Sequence, residues 1–304
     1  QLPYNIKLLV GRWDIPGKPI AVLVDFNGVY AHLNEIYGEM WSRYGVDSLH
    51  AYGDYGEGCA FAVAAAAVMQ SIYDHEGCPD DVIAHFNEWT TGMRLLYLKW
   101  KVPAIATVFT THATSIGRSI CGNGKPLYDY LKGYNGDQMA RELNMESKHS
   151  LEKAAAHAAD CFTTVSDITA VECEQLLDIK PAVVTPNGFE KNFVPARTRF
   201  DAARQQARAN LLGVARALTG KQLDDDTFIV ATSGRCEYRN KGIDVFLDSI
   251  NALRGRTQSR VLALVMVPAW VDKGRADLQE AIAGNSMAGL PDAVITHSLH
   301  NYNE

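Results

Sequence analysis

Short apolar runs, repeated with helix-length segments between them, constrain this chain more than any other feature. Residues 20–24, 104–109, 161–165 and 182–185 are each a brief apolar or β-branched stretch closed by polar or turn-forming residues. Runs of that length and type read as strands buried on both faces. A shorter strand is expected near 80–84, and another at 6–10 ahead of the turn-forming segment 14–19. Segments 38–44, 58–73, 90–100, 127–131, 151–160 and 166–177 read as helices, with Ser150 and Ser166 as caps. In the 151–160 helix, Glu152 and Lys153 are read as first-turn charges. Alternation of this kind predicts an α/β fold, a doubly wound parallel sheet.

The pattern restarts once. A charged amphipathic helix over 200–217, read as a solvated linker, leads to Thr219-Gly220-Lys221 and the acidic run Asp224-Asp225-Asp226. Strands then come at 227–232, 260–267 and 293–296, with helices at 242–253 and 275–283. Two domains are therefore expected, 1–220 and 221–304. The second has too few strands for a full domain of this type, and both ends read as cuts through a longer protein.

Composition excludes some classes. A net charge of −6 argues against nucleic acid or an anionic membrane as the main partner. No apolar run approaches the roughly 18 residues that span a bilayer, and the Ala-rich stretch 59–69 reads as a buried helix. Six scattered cysteines without a CxxC pair read as reduced, mostly buried thiols. With no leader segment at the start, they predict a cytoplasmic location. A homo-oligomer is left open.

In a parallel sheet, ligands gather outside the carboxyl ends of the strands. The strand at 104–109 runs into Thr110-Thr111-His112-Ala113-Thr114-Ser115-Ile116-Gly117-Arg118, a loop of small hydroxylated residues with one His and one Arg. His85 and Glu88 follow the preceding strand, and Asn187 follows the strand at 182–185. In the second domain, Arg235 and Lys241 flank the loop between the first strand and helix. Two cations at a helix N-terminus suit a diphosphate, with the helix amides behind them. Each feature also has a structural alternative: a capped loop, a satisfied imidazole, a turn at Asn187, or solvated cations. Without HxxxH or HExxH spacing, no catalytic metal is expected.

Several of these motifs, in this order, resemble the eukaryotic-type, UDP-glucose-using glycogen synthases. The resemblance rests on His85-Phe86-Asn87-Glu88-Trp89, on Phe109 through Arg118, and on Ala154-Ala155-Ala156-His157. It continues through Phe162-Thr163-Thr164-Val165-Ser166, Val184-Thr185-Pro186-Asn187-Gly188, and Gly234-Arg235-Cys236-Glu237-Tyr238-Arg239-Asn240-Lys241-Gly242. It implies a GT-B fold, two Rossmann-like domains facing across a cleft, both truncated here. It also implies retaining transfer of glucose from UDP-glucose to the non-reducing end of an α-1,4-glucan, with no metal and no cofactor besides that substrate. By motif match, Arg118, Asn187, Arg235 and Lys241 would bind the donor. His112 would sit against the donor glucose, and Glu88 with His85 would lie on the acceptor side. His112 and Glu88 are thus the candidate catalytic residues. ADP-glucose as donor, another acceptor, or glucan binding without turnover are the competing readings.

The sequence also departs from the family. A Lys-Gly-Gly donor loop and a late pair of Glu residues have no counterpart, and Cys236 and Arg239 stand where Tyr and Ser are usual. The chain alone is therefore expected to be inactive.

Overall fold

The computed structural model describes residues 2–268, 270–286, 288–290 and 294–300. Two compact units share the chain, Gln1–Gly188 and Phe189–Glu304.

The first unit opens with β1 (Lys7–Arg12) and β2 (Ile20–Asp25), followed by α1 (Leu33–Tyr44) and α2 (Tyr55–His75). Then come β3 (Ile83–Asn87), α3 (Gly92–Lys101), β4 (Ala106–Thr111) and α4 (Ser115–Gly122). Two short helices, α5 (Leu127–Tyr130) and α6 (Gly136–Glu142), precede α7 (Glu146–Ala158). The unit ends with β5 (Cys161–Thr164), α8 (Asp167–Leu176) and β6 (Val183–Val184). Strands β3, β4, β5 and β6 pair in that order, all parallel.

The sheet is parallel α/β as its apolar runs predict, and its main core is joined by a smaller cluster around Ile116, Ile120 and Leu176. Phe86, Phe109 and Phe162 lie under the helices, and the rings of Phe109 and Phe162 stack at 6.0 Å. The Ala-rich run is buried in α2, which packs on α3, and α3 packs on α7. No helix among the described residues is long and apolar enough to cross a membrane.

Expectations fail in this unit at the first strands and at α7, and β3 falls later than expected, so that His85 lies within it rather than after it. The run at 20–24 is not a buried parallel strand. It pairs antiparallel with β1 in a hairpin, and Leu9, Ile20 and Leu23 remain exposed. The turn segment between them is too short for the crossover that a parallel pair requires. Ser150 is not an N-cap. The helix begins at Glu146, five residues before the expected start, and the Ser150 hydroxyl lies inside it, accepting the Asp47 amide at 2.9 Å. Ser166 does cap α8, accepting the Thr169 amide at 3.3 Å.

The second unit holds α9 (Arg197–Thr219), β7 (Phe228–Ser233), α10 (Ile243–Ala252), β8 (Val261–Met266), β9 (Val271–Gly274), α11 (Ala276–Ala283) and β10 (His297–Leu299). Strands β7 and β8 are parallel, whereas β9 and β10 form an antiparallel pair. The strand expected at 293–296 falls slightly later, at β10, and residue 293 lies outside the described residues.

The expected division after residue 220 moves to Gly188, because α9 packs with elements of the second unit. Ala217 and Leu218 bury against Leu278 of α11. Nor is α9 merely solvated. Arg208 donates to the carbonyls of Asp225 and Thr227, and Arg216 donates to that of Leu223, so the helix ties down the acidic turn.

Asp160, just before β5, joins three elements of the first unit. It accepts the Thr107 amide at 2.8 Å, the Thr107 hydroxyl at 2.9 Å and the Lys99 ammonium at 2.8 Å. The Lys99 bond, followed by those from Thr107, holds its carboxyl below the ordinary carboxylate range. Asp160→Ala leaves the buried Thr107 amide unpaired and should cost about 1–3 kcal/mol at neutral pH. A depressed carboxyl contributes stability above its unfolded pKa and loses it as pH falls through the folded one. Denaturation of the two proteins should therefore converge below about pH 4. A constant difference down to pH 2 would contradict this assignment.

Candidate functional site

β3 and β4 end side by side, and the loops leaving them build the site. At the end of β3 the chain turns through Glu88, at φ 65° and ψ 163°. That region is close to glycine-only and costs on the order of 1–3 kcal/mol for other residues. Local bonds hold it. The Glu88 amide donates to Thr110 O at 2.9 Å, and the Glu88 carbonyl accepts the Thr91 amide at 3.0 Å and hydroxyl at 3.1 Å.

Strained in this way, Glu88 meets the β4–α4 loop. One oxygen, Oε1, accepts the His112 amide at 3.3 Å and Arg118 Nη2 at 3.0 Å. The His112 ring is fixed separately, its Nε2 lying 3.1 Å from Asn87 Oδ1. Three of the residues singled out by sequence, Glu88, His112 and Arg118, thus converge on one carboxylate. The motif residues His85 and Asn187 do not join them. His85 Nε2 lies 2.7 Å from Thr110 Oγ1, on the exposed side of β3. Asn187 sits exposed beyond the same sheet edge, after β6.

A pocket of about 330 Å³ opens here, lined by Glu88, Trp89, Ser115, Arg118, Ser119, Met145 and Lys148. Trp89 stacks on Tyr55 at 6.0 Å, and Lys148 Nζ lies 4.6 Å from the indole. Lys148 is anchored by Asp54 at 2.5 Å. Trp89 therefore serves as both a packing wedge and a pocket wall.

Two carboxylates support the loop from inside the unit. Glu172 Oε1 accepts the Thr114 amide at 2.9 Å and the Thr114 hydroxyl at 2.5 Å, and Tyr128 donates to Oε2 at 3.0 Å. Glu152 accepts the Ser115 amide at 2.7 Å and the Thr111 hydroxyl at 3.1 Å. Both side chains are buried. Both lie at the positive end of α4, which Thr114 caps by accepting the Gly117 amide at 2.9 Å. Glu152 is not the first-turn charge expected from the sequence, because α7 starts earlier, at Glu146, and the residue lies in its buried second turn. Nothing in the local pattern marks either Glu as buried, and only the hydroxyl-rich loop hints at acceptors beneath it.

In the second unit, β7 ends at Ser233 and Gly242, at φ 66°, leads into α10. The Lys241 stem lies over Gly234, where an added Cβ would touch its Cδ at 3.7 Å. Arg235 pairs with the neighbouring Glu237 at 2.9 Å and stays exposed. The helix amides are not behind these cations as expected. Those of Ile243 and Asp244 both donate to Tyr238 O, at 3.0 and 3.2 Å, and that of Val245 donates to Asp244 Oδ1.

The glycogen synthase family model matches residues 4–282. Glycogen [starch] synthase of Neurospora crassa is 34% identical over 273 residues, covering 87% of this chain and 38% of that protein. The rat liver glycogen [starch] synthase is 35% identical over 246 residues, covering 80% and 35%. Glycogen [starch] synthase isoform 2 of Saccharomyces cerevisiae is 31% identical over 291 residues, covering 93% and 41%. The chain thus spans little more than a third of the length of these relatives.

The support beneath the loop leaves no space at Gly117. A Cβ there would stand 2.3 Å from Glu172 Oε1 and 2.6 Å from Thr114 Oγ1, whereas at Gly122 nothing lies within 4 Å. Gly117→Ala should cost about 2–4 kcal/mol, by displacing a buried carboxylate or shifting α4. Gly122→Ala should stay within about 1 kcal/mol of the parent. Urea denaturation measures both, and equal stability of the two variants would contradict this packing.

Proposed function

Because the chain belongs to the glycogen synthase family, we propose that it forms part of a retaining glucosyltransferase. That enzyme moves glucose from UDP-glucose to the non-reducing end of an α-1,4-glucan. The observation that carries this reading is the convergence of Glu88, His112 and Arg118 at the carboxyl ends of β3 and β4. A parallel α/β sheet offers its ligand site at that edge.

The proposed roles are those the family resemblance implies, and the charges fit them. Transfer leaves a nucleoside diphosphate, and negative charge grows on the departing oxygen. Arg235 and Lys241 neutralise it from the second unit, in a GT-B arrangement of two Rossmann-like domains. Arg118 adds a third cation. Its present pairing with Glu88 is partly exposed, and such pairs are worth only about 0–1 kcal/mol. A diphosphate carrying more charge can therefore take the guanidinium over. Glu88, once released, faces the acceptor glucan, with His85 further along the same strand. His112 meets the donor glucose through its backbone or ring, and Asn187 lines the sugar pocket. No metal and no cofactor enter this scheme, and the cytoplasm is the proposed location.

The test uses the full-length protein. Arg235→Ala and Lys241→Ala should each lower kcat/KM for UDP-glucose by about 100-fold or more, with glucan affinity changed less than about threefold. Transfer within about threefold of the parent in both variants would remove the diphosphate role.

A further inference from the structure

Glu152 takes no part in the proposed transfer, yet it is the most deeply buried carboxyl next to the site. Its side chain has no solvent exposure. It stands on α7 and reaches two separate elements. Oε1 takes the hydroxyl of Thr111, the last residue of β4, and Oε2 takes the amide of Ser115, the first residue of α4. The three residues in between are His112, Ala113 and Thr114. The bridge therefore fixes the span of the loop segment whose His112 amide binds Glu88. It also fixes the start of the helix that carries Arg118 one turn further on.

We propose that Glu152 is a positioning residue for Glu88 and Arg118: by bridging Thr111 to Ser115 beneath His112, it sets where the amide and guanidinium that hold Glu88 stand.

Its surroundings make the bridge proton-linked. Burial pushes the Glu152 carboxyl up to about 7 from an ordinary 4.5, against the bonds from Ser115 and Thr111, with the Glu88 charge adding to the rise. The titratable groups around it are Glu88 from the end of β3 and, from α8, the buried Glu172 carboxyl on the adjacent Thr114 amide and the buried Cys173 thiol, which is itself pushed up by burial and then by Glu152 and Glu172. The charged neighbours on its own helix look elsewhere, since His149 and Lys153 both bind Asp137. A carboxyl whose folded pKa lies above its unfolded one contributes stability below the unfolded value and loses it as pH rises through the folded one. Protection of the loop is therefore expected to fall between about pH 5 and pH 8.

The role can be read without any transferase assay, by amide hydrogen exchange on the chain, expressed as protection factors. Glu152→Ala should lower protection at Glu88, His112, Ser115 and Arg118 by about 10-fold or more, and at Val63 in α2 by less than about threefold. Glu152→Gln, which keeps an oxygen for Ser115 and an amide for Thr111, should restore protection to within about threefold. It should also flatten the pH dependence of these four amides. Unchanged protection in Glu152→Ala, or an even loss across the first unit, would overturn the proposal. Should Glu152→Ala fail to fold, the pH arm decides: the same profile in parent and Glu152→Gln would overturn it.

The consequence for activity rests on the transferase reading. In the full-length protein, Glu152→Ala should lower kcat by about 10–100-fold with donor KM changed less than about threefold, and Glu152→Gln should recover it. If the full-length parent shows no transfer, the transferase reading fails while the exchange data still decide the role of Glu152.

Discussion

The bond between Glu172 and the first turn of α4 is the interaction on which the site depends. Thr114 gives that carboxylate both its amide and its hydroxyl, and its hydroxyl oxygen in turn accepts the Gly117 amide. A buried carboxylate is costly unless its partners are well placed. Here the partners are charge-assisted donors and the positive end of a helix, the two features that best compensate burial. Glu152 repeats the device one residue further on, at the Ser115 amide. The helix end that would otherwise attract a ligand anion is thus occupied by the protein's own carboxylates. Arg118, the cation proposed for the donor phosphates, emerges one turn later.

The same logic separates the two sets of cations. Arg118 leans on Glu88, a residue held in a conformation that few non-glycine residues adopt. Arg235 leans on Glu237, its near neighbour in the same loop, while the α10 amides are spent on the Tyr238 carbonyl. At the start of both helices, the amides of Thr114, Ser115 and Gly117 and those of Ile243 and Asp244 are paired within the protein, which leaves the cationic side chains as the charged donors beside them. Such an arrangement fits a ligand whose charge must be gripped and then released.

How much of this could be read in the chain depends on where the information lies. The strand at 104–109 and its loop were legible, because an apolar run closed by Thr, His and Arg is a local pattern. The convergence of Glu88 with His112 and Arg118 was not legible, since the contacts span some 24 and 30 residues and the motifs assigned Glu88 to the acceptor side and the other two to the donor. The inward turn of Glu152 and Glu172 was not legible. Each sits in a helix that also exposes charges, and the register depends on a helix start five residues from the one that Ser150 suggests. Runs of Val, Ile and Leu cannot show which partner they pair with, and the exposed β1–β2 hairpin was misread for that reason. The membership of α9 was hidden likewise, because its arginines bind backbone carbonyls of the following turn rather than acidic side chains.

The most direct test of the carboxylate support is a double-mutant cycle between Thr114→Val and Glu172→Gln, read by urea denaturation. With a hydroxyl–carboxylate contact of 2.5 Å at the buried helix start, the coupling energy should lie at about 1–3 kcal/mol. A coupling below about 0.3 kcal/mol would mean that the two side chains act independently, and that the hydroxyl–carboxylate bond does not hold the start of α4.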